Sequence, residues 1–170
     1  MDALLQAMTD EFGRMPEPGA LVALLRILGA ALLCGVIGLE REVSDHAAGL
    51  RTNMLIGIAA ATFALIAFWL IEHVDGETAR VDPLRLIEAV TSGAAFLAAG
   101  LIVLARGHVR GLTTGASVWL SAAVGLSVGV GQWFLALVAA VAGVSVLVVV
   151  SKVEEGLGIA GKKNLTEPED

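Results

Sequence analysis

The chain has 170 residues, of which 56% are hydrophobic and 16% charged, and its mean hydropathy is +0.82. Soluble domains carry roughly 25% charged residues, so this composition excludes an ordinary soluble domain and points to a membrane protein. A net charge of −6 leaves no basic face for the phosphates of a nucleic acid, and one cysteine, Cys34, excludes an internal disulfide or a thiolate metal site within one chain.

At about 20 apolar residues per spanning helix, the length allows four or five spans and no sizeable soluble domain. Residues 1–18 have acids and no basic stretch ahead of a hydrophobic run, so they read as a retained segment. Leu4, Leu5, Met8, Phe12 and Met15 fall on one helical face, which predicts a short amphipathic helix on the membrane surface. The membrane domain follows at 19–151, and 152–170 form a polar tail.

The first span runs from about Ala20 to Leu39 and is broken only by Arg26; Cys34 within it reads as a small packing residue. The second runs from Asn53 to Ile71 without a charge, and the third from about Leu84 to Ala105, with Arg85 and Glu88 near its start. From Leu112 to Val150 there are 39 residues without a charge, nearly twice what one span needs, so this run must fold back. Its turn is predicted at VGVGQW, Val128–Trp133, giving spans four and five. Strands are not expected, because the runs are long and lack alternation. The predicted fold is all-α: a polytopic membrane bundle of about five transmembrane helices.

Lys and Arg in alternate loops set the orientation. One side receives Arg41, Arg51, Arg106, Arg110, Lys152, Lys162 and Lys163, and the other Arg14 and Arg80, with Arg85 at its border. The amino terminus is therefore expected outside and the carboxyl terminus in the cytoplasm. The segment GLEREVSDHAAGLRT, Gly38–Thr52, is then a cytoplasmic turn carrying Glu40, Arg41, Glu42, Asp45, His46 and Arg51. A turn that only keeps the chain out of the bilayer needs no more than Arg41 and Arg51. Gly49 offers a tight backbone turn. Arg51, at a helix start where the dipole disfavours a cation, is expected to pair with Glu40 or Glu42. The basic loop around Arg106, His108 and Arg110 lies on the same side, and together the two loops would form a mixed-charge cap open to a partner protein or an ion.

Thr114, Ser117, Ser121, Gly125 and Gly129 line one face of the fourth span with small or hydroxyl residues, a pattern that lets helices approach closely. Arg26 and Glu88 are the ionisable residues inside spans, at matching depths, and are expected to pair, with Arg85 as the alternative partner. No HExxH, P-loop, nucleophile elbow or CxxC is present, and His46, His73 and His108 do not make a metal-ligand set. Neither an enzyme nor a cofactor is expected.

The pieces LGAALLCGVIGLERE, AAGLRTNMLIGIAAATFALI and VRGLTTGASVWLSAAVGLSVG, in this order, resemble the MgtC/SapB family of bacterial inner-membrane proteins, from about Arg26 to Lys152. The matching residues are Glu40, Arg41, Gly49, Leu50, Arg51 and Thr52, then Arg110, Gly111, Thr113, Thr114 and Trp119, with Glu42 in the same GLERE element. The resemblance implies a multi-pass inner-membrane protein that acts in adaptation to low magnesium or in survival inside host cells. It implies action on a partner membrane protein, the ATP synthase among the candidates, and self-association through the fourth span is a further expectation. A rival expectation is a magnesium or other cation transporter, with Glu88 and the hydroxyl face of span four lining the route. Two departures from the family pattern are evident. SGAAFLAAG, Ser92–Gly100, replaces a glycine-rich SGIGFLGAG, and the soluble carboxyl-terminal domain of longer members is expected to be absent.

Overall fold

The structure is a computed structural model and describes residues 4–6, 19–73, 82–105 and 108–157. After a helical piece at 4–6, five long helices follow: α1 (Ala20–Val43), α2 (Leu50–His73), α3 (Pro83–Leu101), α4 (Leu112–Gly129) and α5 (Trp133–Gly156). Each is long and apolar enough to cross a membrane, and the bundle is that of a multi-pass membrane protein. Of the expected amphipathic segment, Leu4 and Leu5 are exposed, while Met8, Phe12 and Met15 lie outside the described residues.

α4 is the central helix, with 11 of its 18 residues buried. α1, α2, α3 and α5 all pack on it, and α1 also packs on α2 and α5. The core is rich in small side chains: Ala30, Cys34, Ala61 and Ala136 belong to one cluster with Ile37 and Val124, and Ala60, Ala64, Ala94 and Ala122 to a second with Val90 and Leu126. Large apolar residues such as Phe96, Phe134, Leu32 and Val149 point outward. This inverts the soluble pattern, because hydrocarbon solvates leucine and phenylalanine while close helix contact selects small residues.

The small face of α4 lies against α2. A Cβ on Gly125 would meet the Gly57 carbonyl oxygen and come within 2.7 Å of the Gly57 Cα, and one on Gly129 would lie 2.6 Å from the Ala64 Cβ. Asn53 bonds to Ser121 one turn earlier, so α2 and α4 run parallel and start at the same end of the bundle. By contrast, Gly93 and Gly100 of α3 have open space where a Cβ would go.

α4 ends in a left-handed cap. Gly131 has φ +87°, Gly131 N–H donates to the Val128 carbonyl and Gln132 N–H to that of Ser127, satisfying carbonyls that a helix end leaves free. Val130 N–H takes the Leu126 carbonyl, and Arg26 Nη1 reaches across from α1 to the Gly129 carbonyl at 2.8 Å. The expected Arg26–Glu88 pair is therefore corrected. α3 packs on α4 and α2 while Arg26 points at the α4 terminus, where the helix dipole favours a cation. Glu88 stands exposed on α3, and neither Arg26 nor Arg85 forms an ion pair with it.

The third span is shorter than expected. α3 stops at Leu101, and Val103–Ala105 (β1) pairs antiparallel with His108–Arg110 (β2), joining Leu104 to Val109. The expectation of no strands is thus corrected by a short antiparallel strand pair ahead of α4. Its β-branched Val103 and Val109 suit extended backbone. At α1 the helix runs one turn past the expected end, to Val43, and the α4–α5 turn falls at Val130–Gln132, within the predicted VGVGQW.

Candidate functional site

The two motifs GLERE and AGLRT meet where α1 hands over to α2. α1 closes with a second left-handed cap: Asp45, at φ 55°, donates its N–H to the Glu42 carbonyl, and His46 N–H bonds the Arg41 carbonyl. Glu42 then turns back, and its Oε2 accepts the Leu50 N–H at 2.9 Å. A carboxylate at a helix start satisfies a free amide and opposes the positive end of the dipole. A Cβ on Gly49 would collide with that same carboxylate. Glycine at 49 thus leaves the Glu42 carboxylate room to cap α2, and Asp45 is the residue of this turn that adopts positive φ.

Glu40 and Arg41 form a local pair. Arg41 Nε and Nη2 donate to the two Glu40 oxygens at 2.6 and 3.0 Å, and Ser44 Oγ donates to Oε1 at 3.1 Å. Arg41 is only 3% exposed, and its Nη1 is buried without a partner among the described residues. This corrects the expected pairing of Arg51. Glu40 is occupied by Arg41 and Glu42 by the Leu50 amide, so Arg51 stands exposed on the first turn of α2, next to exposed Thr52.

Beneath the turn lies a buried polar chain. Asn53 Nδ2 donates to the carbonyls of Ala48 at 2.9 Å and Gly49 at 2.8 Å, and its Oδ1 accepts the Ser121 hydroxyl at 2.8 Å. Cys34 Sγ contacts the Ser121 carbonyl at 3.2 Å. One amide thus fixes the loop to the start of α2, ties α2 to α4, and meets α1 through Ser121. Ser117 Oγ bonds back to the Thr114 carbonyl at 2.8 Å. Neither Asn53 nor Cys34 stood out in the sequence as a site. For Asn53 the available signal was a side-chain amide opening a span with no charge.

Because α2 and α4 start together, the second motif comes to the same end. Gly111 caps the start of α4 with φ +85°, Thr113 and Arg110 are exposed, Thr114 is buried, and Trp119 is 53% exposed on the outer side of α4. Arg106 and the side chain of His108 lie outside the described residues. Val43, Val109 and Leu112 are exposed apolar residues, as Asp45, His46 and Arg51 are exposed ionisable ones. This end combines a backbone fixed by caps with a rim of outward charges. Among the described residues no three His, Cys, Asp or Glu side chains cluster in a way that could hold a metal ion.

The sequence is similar to known proteins. The family model described as MgtC family covers residues 27–156. "Protein MgtC" of Brucella abortus (strain 2308) is 43% identical over 105 residues, spanning 62% of this chain and 41% of that protein. "Protein MgtC" of Salmonella typhimurium (strain 14028s / SGSC 2262) is 39% identical over 118 residues, 69% of this chain and 48% of that protein. "Putative magnesium transporter YhiD" of Escherichia coli (strain K12) is 35% identical over 113 residues, 66% of this chain and 53% of that protein. The chain thus spans about half the length of these curated relatives, and no solved structure matches it significantly. The matched stretch holds most of α1 and the whole of α2 to α5, with the linked turn between α1 and α2 and the small-residue face of α4, and with it the chain belongs to the MgtC family.

Proposed function

We propose that the chain works in a bacterial inner membrane as a regulator of a partner membrane protein during magnesium limitation, and that the charged end is its contact surface on the cytoplasmic side. The observation that supports this reading is the division of labour at that end. Glu40, Glu42 and Asn53 are spent on fixing the turn, which leaves Arg51, His46 and Asp45 outward on a backbone that need not reorganise to bind. A preorganised surface loses less entropy on association than a flexible loop does. Rim charges of this kind set partner choice and encounter rate.

Arg51→Glu is expected to abolish complementation of a deletion strain at limiting magnesium while leaving membrane abundance unchanged. Growth assays with quantified membrane fractions check this. Full complementation by Arg51→Glu at normal abundance would remove the charged end from function. A photo-crosslinker at His46 should then trap the partner, with ion-translocating complexes such as the ATP synthase the first to probe.

A second reading, a magnesium transporter, draws support from the name of the Escherichia coli relative. It would use Glu88 and the hydroxyl face of α4. The hydroxyls of Ser117 and Ser121 are already donated to the Thr114 carbonyl and to Asn53, inside a packed helix seam, and a divalent cation asks for several oxygen ligands.

A further inference from the structure

At the end of the bundle opposite the charged turn, α2, α3, α4 and the start of α5 leave a cavity of about 580 Å³ between them. Its volume falls in the range that accommodates a small ligand, about 300–1,000 Å³. The body is apolar, walled by Ala64, Ala67, Phe68, Leu86 and Leu126. At the mouth, Leu70, Ile87 and Leu135 are 41–56% exposed, on spans whose outward residues meet lipid. The rim carries opposite charges on the first turn of α3. Asp82 caps that helix through Oδ1, which accepts the Leu84 N–H at 2.9 Å, and Arg85 lies exposed three residues on. The two do not pair with each other among the described residues.

We infer that this cavity is a binding site for one phospholipid with a zwitterionic, amine-bearing headgroup. One acyl chain occupies the apolar body, Arg85 takes the phosphate, and the free oxygen of Asp82 takes the ammonium group. The charge pattern selects this occupant. An anionic lipid without an amine would set its negative charge beside Asp82, and a neutral apolar ligand would leave both rim charges unused. Apolar walls opening at a lipid-facing mouth, with charge confined to one end, reproduce the layout of a lipid molecule. The inference is independent of what the charged end recognises.

Native mass spectrometry of the full chain in detergent tests it, with phosphatidylethanolamine, phosphatidylglycerol and phosphatidylcholine added separately at equal concentration. Phosphatidylethanolamine is expected to be retained at one per chain, about five-fold more than phosphatidylglycerol, the scale of one charge near the membrane surface. Asp82→Asn keeps a capping side chain and should erase that preference. Arg85→Gln should weaken retention of both lipids by a similar factor. Ala67→Phe, filling the body, should lower retention of every lipid. Equal retention of the three lipids by the unmodified chain, or an unchanged ethanolamine preference in folded Asp82→Asn, would overturn the assignment, whatever Ala67→Phe does.

Discussion

Gly125→Ala is expected to destabilise the bundle by about 2–3 kcal/mol, the upper part of the usual overpacking range, although alanine is the better helix former by about 1 kcal/mol. The added methyl would meet the Gly57 carbonyl and lie 2.7 Å from its Cα. Neither is the end of a flexible side chain, so α2 and α4 must move apart as whole helices. Separation would also loosen the Asn53–Ser121 bond and the Cys34 contact, because Ser121 and Gly125 share one face of α4. Gly93→Ala supplies the control. Its methyl enters open space on α3, so only the propensity term remains and stability should stay level or rise by up to about 1 kcal/mol. Denaturant titration in mixed micelles, read by tryptophan fluorescence, separates the two. Equal effects at both positions would show that the α2–α4 seam is not close-packed.

Asn53→Leu is expected to lower stability by about 2–4 kcal/mol. Leucine keeps the branching and heavy-atom count of asparagine, so the main effect comes from polar groups. Interhelical hydrogen bonds within membranes average only about 0.6 kcal/mol and reach about 1.7, so losing the Ser121 bond alone would be mild. The larger share comes from the turn, since a buried carbonyl left unpaired costs about 1–3 kcal/mol and Asn53 Nδ2 serves that of Ala48, whereas the Gly49 carbonyl keeps the Asn53 backbone N–H. Ser121→Ala should therefore cost about 1 kcal/mol, well below Asn53→Leu. The double variant should fall short of the sum by the energy of their shared bond. Equal single effects would shift the weight from the turn to the helix seam.

The spans were legible because apolar length is a direct demand of the bilayer. Five runs separated by charge or by Gly-Gln-Trp could hardly arrange themselves otherwise. The VGVGQW turn was legible for the same reason that it works, since Gly131 supplies positive φ. Asp45 does the same job at the end of α1 without any glycine to announce it. The small face of α4 was readable from spacing, but its partner was not. A stripe of Ser and Gly names no particular helix, whereas the contacts of Gly125 and Gly129 with α2 do. Arg26 and Glu88 matched in depth, yet depth along the membrane says nothing of azimuth, and Arg26 turned to the α4 carbonyl instead. The pairing of 103–105 with 108–110 escaped because two three-residue strands are too short for alternation to show against a helical run. In the charged turn the residues were identified but their partners were not, because a carboxylate that caps an amide looks in sequence like one awaiting a cation.

The most direct test of regulation against transport is magnesium flux into sealed proteoliposomes, read by an internal indicator beside empty vesicles and vesicles carrying Glu88→Gln. The regulator account predicts that folded, correctly inserted protein gives no flux above empty vesicles, with Glu88→Gln indistinguishable from the unmodified chain. Flux above empty vesicles that Glu88→Gln abolishes would contradict it and make α3 and α4 the walls of a route.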